Sequence, residues 1–268
     1  MVGSVGTVGG MGVGVLLRDW RQRRHLSQLD LAVEAEVSTR HLSFVETGRS
    51  KPSRELVLHL AEHLDVPLRE RNTLLVAAGY APVYAERPID AEEMAPVRAA
   101  IDKILSGHSP FPAIVVDHRW ALVSANEAAL ALLTDGVDPS LLGEGANALR
   151  ISLHPDGLAP RIANLAEWSS HLLDRLRREA AVSADPALDQ LIAELRTYPG
   201  VVDGPLPSDG PAPLFVPLVL RAGDAALSFV STVATFGTAR DITAAELSIE
   251  SFFPADDATA AFLLGRSP

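Results

Sequence analysis

The fold of the first part of the chain is decided by residues 25–53, which read HLSQLDLAVEAEVSTRHLSFVETGRSKPS. Ser27 precedes a short amphipathic run, and Asp30 follows three residues later, close to the capping-box pattern that begins a helix. Ser38 opens a second short run after only a few residues. This pattern predicts two short helices joined by a tight turn.

Further helical patterns surround this pair. Apolar residues at helical spacing predict a helix before it, and Gly48 ends the third helix. Ser53 caps a fourth helix, and a fifth covers about residues 68–78. The first part of the chain is therefore predicted to be an all-α domain of five helices over residues 15–80, with a flexible leader over residues 1–14 and a proline-rich linker over residues 81–96.

The rest of the chain changes character. Residues 113–117 and 120–124 have the composition of a strand hairpin, and residues 158–181 carry the strongest helical stripe in the chain. Strand-like runs return over about residues 214–236 and 246–252. Strands, then helices, then strands predict an α+β domain with an antiparallel sheet.

Charge is distributed unevenly between these two parts. Residues 15–87 contain 11 Lys and Arg against 10 Asp and Glu, whereas the whole chain has a net charge of −11. Only the first part is therefore expected to face a polyanion. No apolar run approaches the ~20 residues of a membrane span. With no cysteine in the chain, a reducing, cytoplasmic location is expected.

Catalytic and metal-binding patterns are not evident in the sequence. We find no nucleophile elbow and no paired-carboxylate site that points to catalysis. His154 has no second metal ligand at usable spacing, and the glycines around Glu144 lack the lysine of a phosphate loop. We expect neither enzyme activity nor a cofactor nor a metal.

Residues 25–53 resemble the Cro/C1-type helix-turn-helix, also called the Xre family, and the resemblance extends over about residues 15–80. It implies that the amide of Gln28 bonds a DNA phosphate. It also implies a buried ion pair between Arg21 and Glu46 that locks the first helix to the third. In this family, side chains at the positions of Thr39, Arg40 and Ser43 contact base edges in the major groove, so the resemblance implies the same role for these three residues.

A short amphipathic helix with Thr, Arg and Ser outward also suits the major groove on physical grounds. Arg40 either reads guanine through two parallel hydrogen bonds or is a solvated arginine, and the neighbouring motif favours base contact. The resemblance also places Arg49, Ser50 and Lys51 in the turn after this helix, and implies that side chains and amides of the turn meet the DNA backbone. Phe44 either touches a thymine methyl group or packs within the protein.

Three further strings resemble the MmyB-like ligand-binding domain, over about residues 97–264. They are WALVSANEAALALL at 120–133, LHPDGLAPRIANLAEWSSHLLDRLRREA at 153–180 and DITAAELSIESFFPAD at 241–256. The resemblance implies a PAS-like sheet with helices that enclose a hydrophobic cavity. A fatty acid is a known type of ligand in this family.

Candidate ligand residues are aromatic side chains for the walls and polar groups for a carboxylate. The aromatic candidates are Trp120, Trp168, Phe215 and Phe229. The polar candidates are Arg161 and Asn164, with His171 on the same predicted helix. The alternative is that the aromatics are ordinary core residues and that Arg161 is a surface charge.

Together these features predict a transcription regulator that binds double-stranded DNA. A homodimer would set two recognition helices into major grooves ~34 Å apart on a palindromic operator. A hydrophobic small-molecule effector, such as a fatty acid, would control it through the second domain. In the alternative, the second domain serves dimerisation or protein interaction without a ligand.

Overall fold

A computed structural model describes residues 12–183, 185–205, 214–223 and 225–265. The chain divides into two units, of which the first comprises the residues up to Glu86 with Arg240–Ile242 and the second the remainder. Most of the predicted leader, residues 1–11, lies outside the described residues. Its last two positions do not form a leader, because the first helix already begins at Val13.

The described part of the first unit contains five helices, as the sequence predicts. They are α1 (Val13–Arg23), α2 (Gln28–Glu34), α3 (Thr39–Glu46), α4 (Arg54–His63) and α5 (Leu68–Ala77). Their apolar faces meet in one core that includes Leu17, Leu31, Leu42, Leu60 and Leu75. Burying each such side chain contributes roughly 1.5–3 kcal/mol, so this core holds the short helices together.

Serine hydroxyls begin three of these helices at the predicted positions. Ser27 Oγ accepts from the Asp30 amide at 3.1 Å, and the Asp30 carboxylate accepts from the Ser27 amide at 2.8 Å. Ser38 and Ser53 accept in the same way from amides three residues later. Each cap satisfies an amide that the helix leaves unpaired, at a gain of about 1 kcal/mol. The predicted capping box is confirmed.

The helices α1 and α3 approach each other closely at Gly14. A Cβ atom at this position would lie 2.2 Å from the carbonyl oxygen of Val45 and 2.8 Å from that of Glu46. Glycine is unfavourable inside a helix, but only glycine permits this contact. Gly14, which the glycine-rich composition assigns to a flexible leader, therefore has a packing role.

We predict that Gly14→Ala destabilises the first unit by about 1–3 kcal/mol, the usual cost of forcing extra atoms into a packed contact. Urea unfolding of the full chain, followed by circular dichroism, measures this loss. Gly12→Ala is the matched control, because a Cβ there meets nothing within 4 Å, and it should cost less than about 1 kcal/mol. Equal losses in the two variants would contradict the close approach.

The second unit is built on a five-stranded antiparallel sheet in the order β2-β1-β5-β4-β3. The strands are β1 (Ala113–Val116), β2 (Leu122–Ala125), β3 (Leu218–Ala222), β4 (Ala225–Thr235) and β5 (Ser248–Pro254). The helices are α6 (Ala95–Gly107), α7 (Glu127–Thr134), α8 (Ala148–Leu153), α9 (Leu165–Ser183), α10 (Pro186–Leu195), α11 (Ile242–Ala245) and α12 (Asp257–Leu264). Ile242, the first residue of α11, is grouped with the first unit. The predicted α+β class is confirmed.

Side chains alternate between the two faces of this sheet, as in any β-strand. Val115 and Ile249 pack with Ile101 of α6 in a small core. Ile114 and Phe229 belong instead to the larger core that includes the buried residues of α7 to α10. The sheet therefore separates α6 from the helices on its other face.

The second strand begins later than the sequence predicts. Trp120, the first residue of the predicted strand, has a φ angle of 65°, which lies outside the β region. The Asp117 carboxylate accepts from the amides of Arg119 and Ala121, each at 2.8 Å. These bonds close a tight turn that holds Trp120 in the left-handed conformation, so β2 starts only at Leu122.

The long helical stripe predicted over residues 158–181 is also interrupted. A short 3-10 helix, Ala159–Arg161, comes first, and α9 begins at Leu165. Between them, the Ala163 amide donates to the Val219 carbonyl at 2.8 Å. Pairing with β3 therefore replaces the helical hydrogen bonds at this point.

Candidate DNA-binding surface and ligand cavity

The outer side of α3 carries polar side chains. Thr39 and Arg40 are exposed and Ser43 is half-buried, whereas Leu42 and Val45 lie in the core. Residues three and four apart share one face of a helix. The three predicted base-reading side chains therefore lie on one surface, and a helix with such donors fits the major groove.

A buried ion pair fixes α3 against α1. Arg21 Nε donates to Glu46 Oε1 at 2.7 Å, and Arg21 Nη2 donates to Glu46 Oε2 at 2.9 Å. The two residues are only 7% and 5% exposed. Hydrogen bonding to Glu46 raises the pKa of Arg21 above its ordinary value. The ion pair that the resemblance implies is confirmed, and Glu46 has a structural role.

Gln28 joins this ion pair. Its Nε2 donates to Glu46 Oε2 at 2.7 Å. A side-chain amide carries two N–H hydrogens, so one is committed within the protein and the other remains for a DNA phosphate. The resemblance implies only a phosphate contact for Gln28. The structure shows that Gln28 also holds Glu46 in position.

Phe44 lies beside two guanidinium groups. Its ring centre is 5.4 Å from Arg40 Cζ and 6.0 Å from Arg49 Cζ. At these distances a cation is attracted to the aromatic face. Packing against the two arginines is therefore present in the free protein, while contact with a thymine methyl group remains a prediction.

Hydrogen bonds close the turn that follows α3. The amides of Arg49 and Ser50 both donate to the Phe44 carbonyl, at 2.8 and 3.0 Å. The resemblance implies that amides of this segment meet the DNA backbone, but these two already have partners inside the protein. Their side chains are left for the predicted phosphate contacts.

Lys51 is positioned by an aromatic ring. Its Nζ lies 5.3 Å from the centre of the Tyr80 ring, and the Tyr80 hydroxyl donates to the Pro52 carbonyl at 3.0 Å. Lys51 is otherwise exposed. The cation–π contact restricts where the ammonium group lies before DNA binds.

We predict that Glu46→Ala destabilises the first unit by about 3–5 kcal/mol, because the buried Arg21 loses its counter-charge. The measurement is again urea unfolding of the full chain. Glu34→Ala removes an exposed carboxylate from α2 and should change the free energy of unfolding by less than about 0.5 kcal/mol. A loss for Glu46→Ala as small as this control would show that the pair does not hold α3.

The second unit contains a partly open cavity between its sheet and the helices α7, α8 and α9. The walls are mainly aliphatic and aromatic, and they include Trp120, Trp168 and Phe229 from the predicted ligand residues. The cavity volume is about 80 Å³. One water molecule needs about 10–15 Å³ on this scale, so the space suits a small ligand.

The other three candidate ligand residues do not line this cavity. Arg161 donates to the Leu132 carbonyl at 3.1 Å, and Asn164 donates to the Pro217 carbonyl at 2.8 Å. Phe215 is 54% exposed. Because the helical stripe breaks before α9, Arg161 and Asn164 bond backbone carbonyls. Of the polar candidates on the predicted helix, only His171 reaches the cavity wall.

One end of the cavity is charged. Arg175 Nη2 forms an ion pair with Glu250 Oε1 at 2.6 Å, and Arg175 Nε donates to Glu179 Oε1 at 2.9 Å. The guanidinium lies 4.5 Å from the centre of the Trp120 ring. The Trp120 indole N–H donates to Glu179 Oε2 at 2.8 Å. Arg175 is therefore the centre of a polar cluster against an otherwise apolar wall.

Burial sets the charge of the groups at this end. Desolvation raises the pKa of Glu250 above its ordinary value, although Arg175 acts in the opposite direction. Desolvation lowers the pKa of His171, and the positive charges of Arg175 and Arg178 lower it further. His171 is consequently neutral at neutral pH and offers hydrogen-bonding groups without a charge.

Glu250 and Arg175 were not among the sequence candidates. The sequence nevertheless contains an indication of Glu250, because β5 reads SIESFFP. Side chains alternate along a strand, so Glu250 lies on the same face as Phe252. A charged side chain on the buried face of a strand is rare unless it is paired. Finding it required the strand register, which the sequence left open.

Two families match this chain. Residues 97–264, more than half of the chain, match the MmyB-like transcription regulator ligand binding domain. The chain belongs to the MmyB-like transcription regulators. Residues 13–74 match a helix-turn-helix domain family. This MmyB-like protein is a DNA-binding transcription regulator with a ligand-binding domain, and its two matched families are regulatory, not enzymatic.

A comparison of this MmyB-like regulator with curated proteins found no match. Among residues 12–183, 185–205, 214–223 and 225–265, no group of three or more His, Cys, Asp or Glu side chains is placed to hold a metal ion. No helix in these same ranges has both the length and the apolar character needed to cross a membrane.

Proposed function

We propose that this MmyB-like regulator binds a palindromic operator as a homodimer in the cytoplasm, and that a hydrophobic small molecule controls this binding. The common outer face of Thr39, Arg40 and Ser43 carries the DNA part of the proposal. In a two-fold dimer, two such helices enter successive major grooves ~34 Å apart.

The side chains of this surface have different tasks in DNA binding. Arg40 offers a planar fork that matches the two acceptors of guanine, while Thr39 and Ser43 offer hydroxyls to neighbouring base edges. Lys51 is a point charge that suits a phosphate. The other proposed phosphate contacts come from Gln28, Arg49 and Ser50.

We predict that Arg40→Ala lowers affinity for the preferred operator by about 1–3 kcal/mol and relaxes base preference at one position. Lys51→Ala should weaken binding to all sequences alike and reduce the salt dependence by about one phosphate contact. The preferred operator is first selected from random DNA. The dissociation constant of each protein variant is then measured for this operator and for a set of its single-base variants, at several salt concentrations.

Arg18→Ala is the control for this series, because it removes an exposed arginine of α1 outside the proposed surface. It should change neither base preference nor salt dependence. Equal and uniform losses in Arg40→Ala and Lys51→Ala would refute the division between base and phosphate contacts.

The cavity carries the small-molecule part of the proposal. Apolar walls with a few convergent polar groups are typical of ligand sites. Its volume of about 80 Å³ is below the ~300–1,000 Å³ of sites for larger ligands. A fatty acid, the ligand type that the resemblance implies, therefore needs a short chain or outward movement of the helices. The antiparallel sheet with helices around a cavity supports the PAS-like description.

We predict that the purified full chain carries or takes up an apolar small molecule, seen in native mass spectrometry as added mass that denaturation removes. Ala148→Leu enlarges a side chain of the cavity wall and should reduce uptake, because it fills the site. Ala131→Leu, at an exposed position of α7, should not. A chain that takes up nothing would favour dimerisation or protein interaction as the role of the second unit.

A further inference from the structure

The charged end of the cavity contains more negative than positive side chains. Glu179 and Glu250 both pair with Arg175, and His171 is neutral at neutral pH because its pKa is lowered. Two carboxylates thus share one guanidinium. Glu179 also accepts from the Trp120 indole, which leaves Glu250 as the carboxylate with fewer partners.

Arg175 already holds two carboxylates. Glu250 and Glu179 occupy its Nη2 and Nε, at 2.6 and 2.9 Å, and Trp120 lies along its guanidinium. A ligand carboxylate beside Glu250 would be the third carboxylate around one guanidinium, and repulsion among like charges would disfavour it.

Glu250 has capacity for a hydrogen-bond donor. It is only 3% exposed and lines the cavity. Among the residues that the structure describes, the contact with Arg175 at 2.6 Å is the one polar partner of its Oε1. An ionised carboxylate accepts up to about four hydrogen bonds. The raised pKa of Glu250 agrees with a carboxylate whose burial is incompletely compensated.

We propose that the cavity binds a small amphiphilic amine, with its apolar body against the walls and its ammonium group on the Glu250 carboxylate. The ammonium and Arg175 then balance the charges of Glu250 and Glu179, and the ammonium N–H groups supply the missing donors. This inference rests on the proposed function, in which the cavity binds a hydrophobic small molecule. It narrows the class of ligand, because the polar end of an amine is a cation whereas that of a fatty acid is an anion.

Octylamine, 1-octanol and octanoate test this inference, because they share one alkyl chain and differ in the polar end. Calorimetric titration of the full chain at neutral pH should rank octylamine tightest and octanoate weakest. Tighter binding of octanoate than of octylamine would overturn the inference and leave the proposed function standing. If neither these three compounds nor the uncharged dye N-phenyl-1-naphthylamine binds, the proposed function fails together with the inference.

Two variants separate the cavity from general attraction between an amine and an acidic protein. Glu250→Gln keeps the side-chain shape and should weaken octylamine binding at least about tenfold, the effect of losing one charged hydrogen bond. Binding of 1-octanol should change little. Asp189→Asn makes the same change in net charge at an exposed position of α10 that does not line the cavity, and should alter octylamine binding by less than about threefold.

Thermal melting of both variants checks that they fold. An equal loss of octylamine binding in Glu250→Gln and Asp189→Asn would overturn the inference, because net charge alone would then explain the affinity. If Glu250→Gln does not fold, the ranking of the three probes on the unmodified chain decides the question.

Discussion

The geometry of the first unit depends on the ion pair of Arg21 and Glu46. Two charges removed from water need several well-placed partners, and here four hydrogen bonds involving Arg21, Glu46, Leu26 and Gln28 provide them. These bonds join the end of α1, the start of α2 and the end of α3. Few other arrangements of the three helices would satisfy both charges, so the pair sets the orientation of α3 and of the donors on its outer face.

The second unit contains a comparable buried ion pair, that of Arg175 and Glu250, in which the carboxylate has fewer hydrogen-bond partners. Glu46 accepts three hydrogen bonds, two from Arg21 and one from Gln28. Within the described part of the chain, Glu250 has Arg175 as its one polar partner, and it lies at the wall of a cavity. A buried polar group that the protein satisfies stabilises one structure, while one that it leaves incomplete is available to a ligand. This contrast assigns a structural role to Glu46 and a binding role to Glu250.

Local chemistry made the first unit predictable from its sequence. The caps at Ser27, Ser38 and Ser53 depend on neighbouring residues only, and the helices appear where those caps place them. The resemblance also located the Arg21–Glu46 pair correctly. The close approach at Gly14 escaped prediction, since it depends on the backbone of α3, 31 residues further along the chain.

The cavity was harder to predict, because it depends on contacts between distant segments. Its aromatic walls were found in part through Trp120, Trp168 and Phe229. Arg161 was wrongly expected to bind the ligand, because the predicted helix is interrupted where the chain pairs with β3. No local pattern in the sequence revealed this interruption. Glu250 was missed because its position follows from the register of β5 between two other strands.

Control of DNA binding by the cavity is tested most directly by the operator affinity of the full chain at one fixed salt concentration. The dissociation constant is measured without a ligand and with a saturating amount of whichever probe, octylamine, 1-octanol or octanoate, binds the cavity. A change of about 5- to 150-fold is expected, the usual range for coupling between two sites. An unchanged dissociation constant with the cavity fully occupied would contradict ligand control of this regulator.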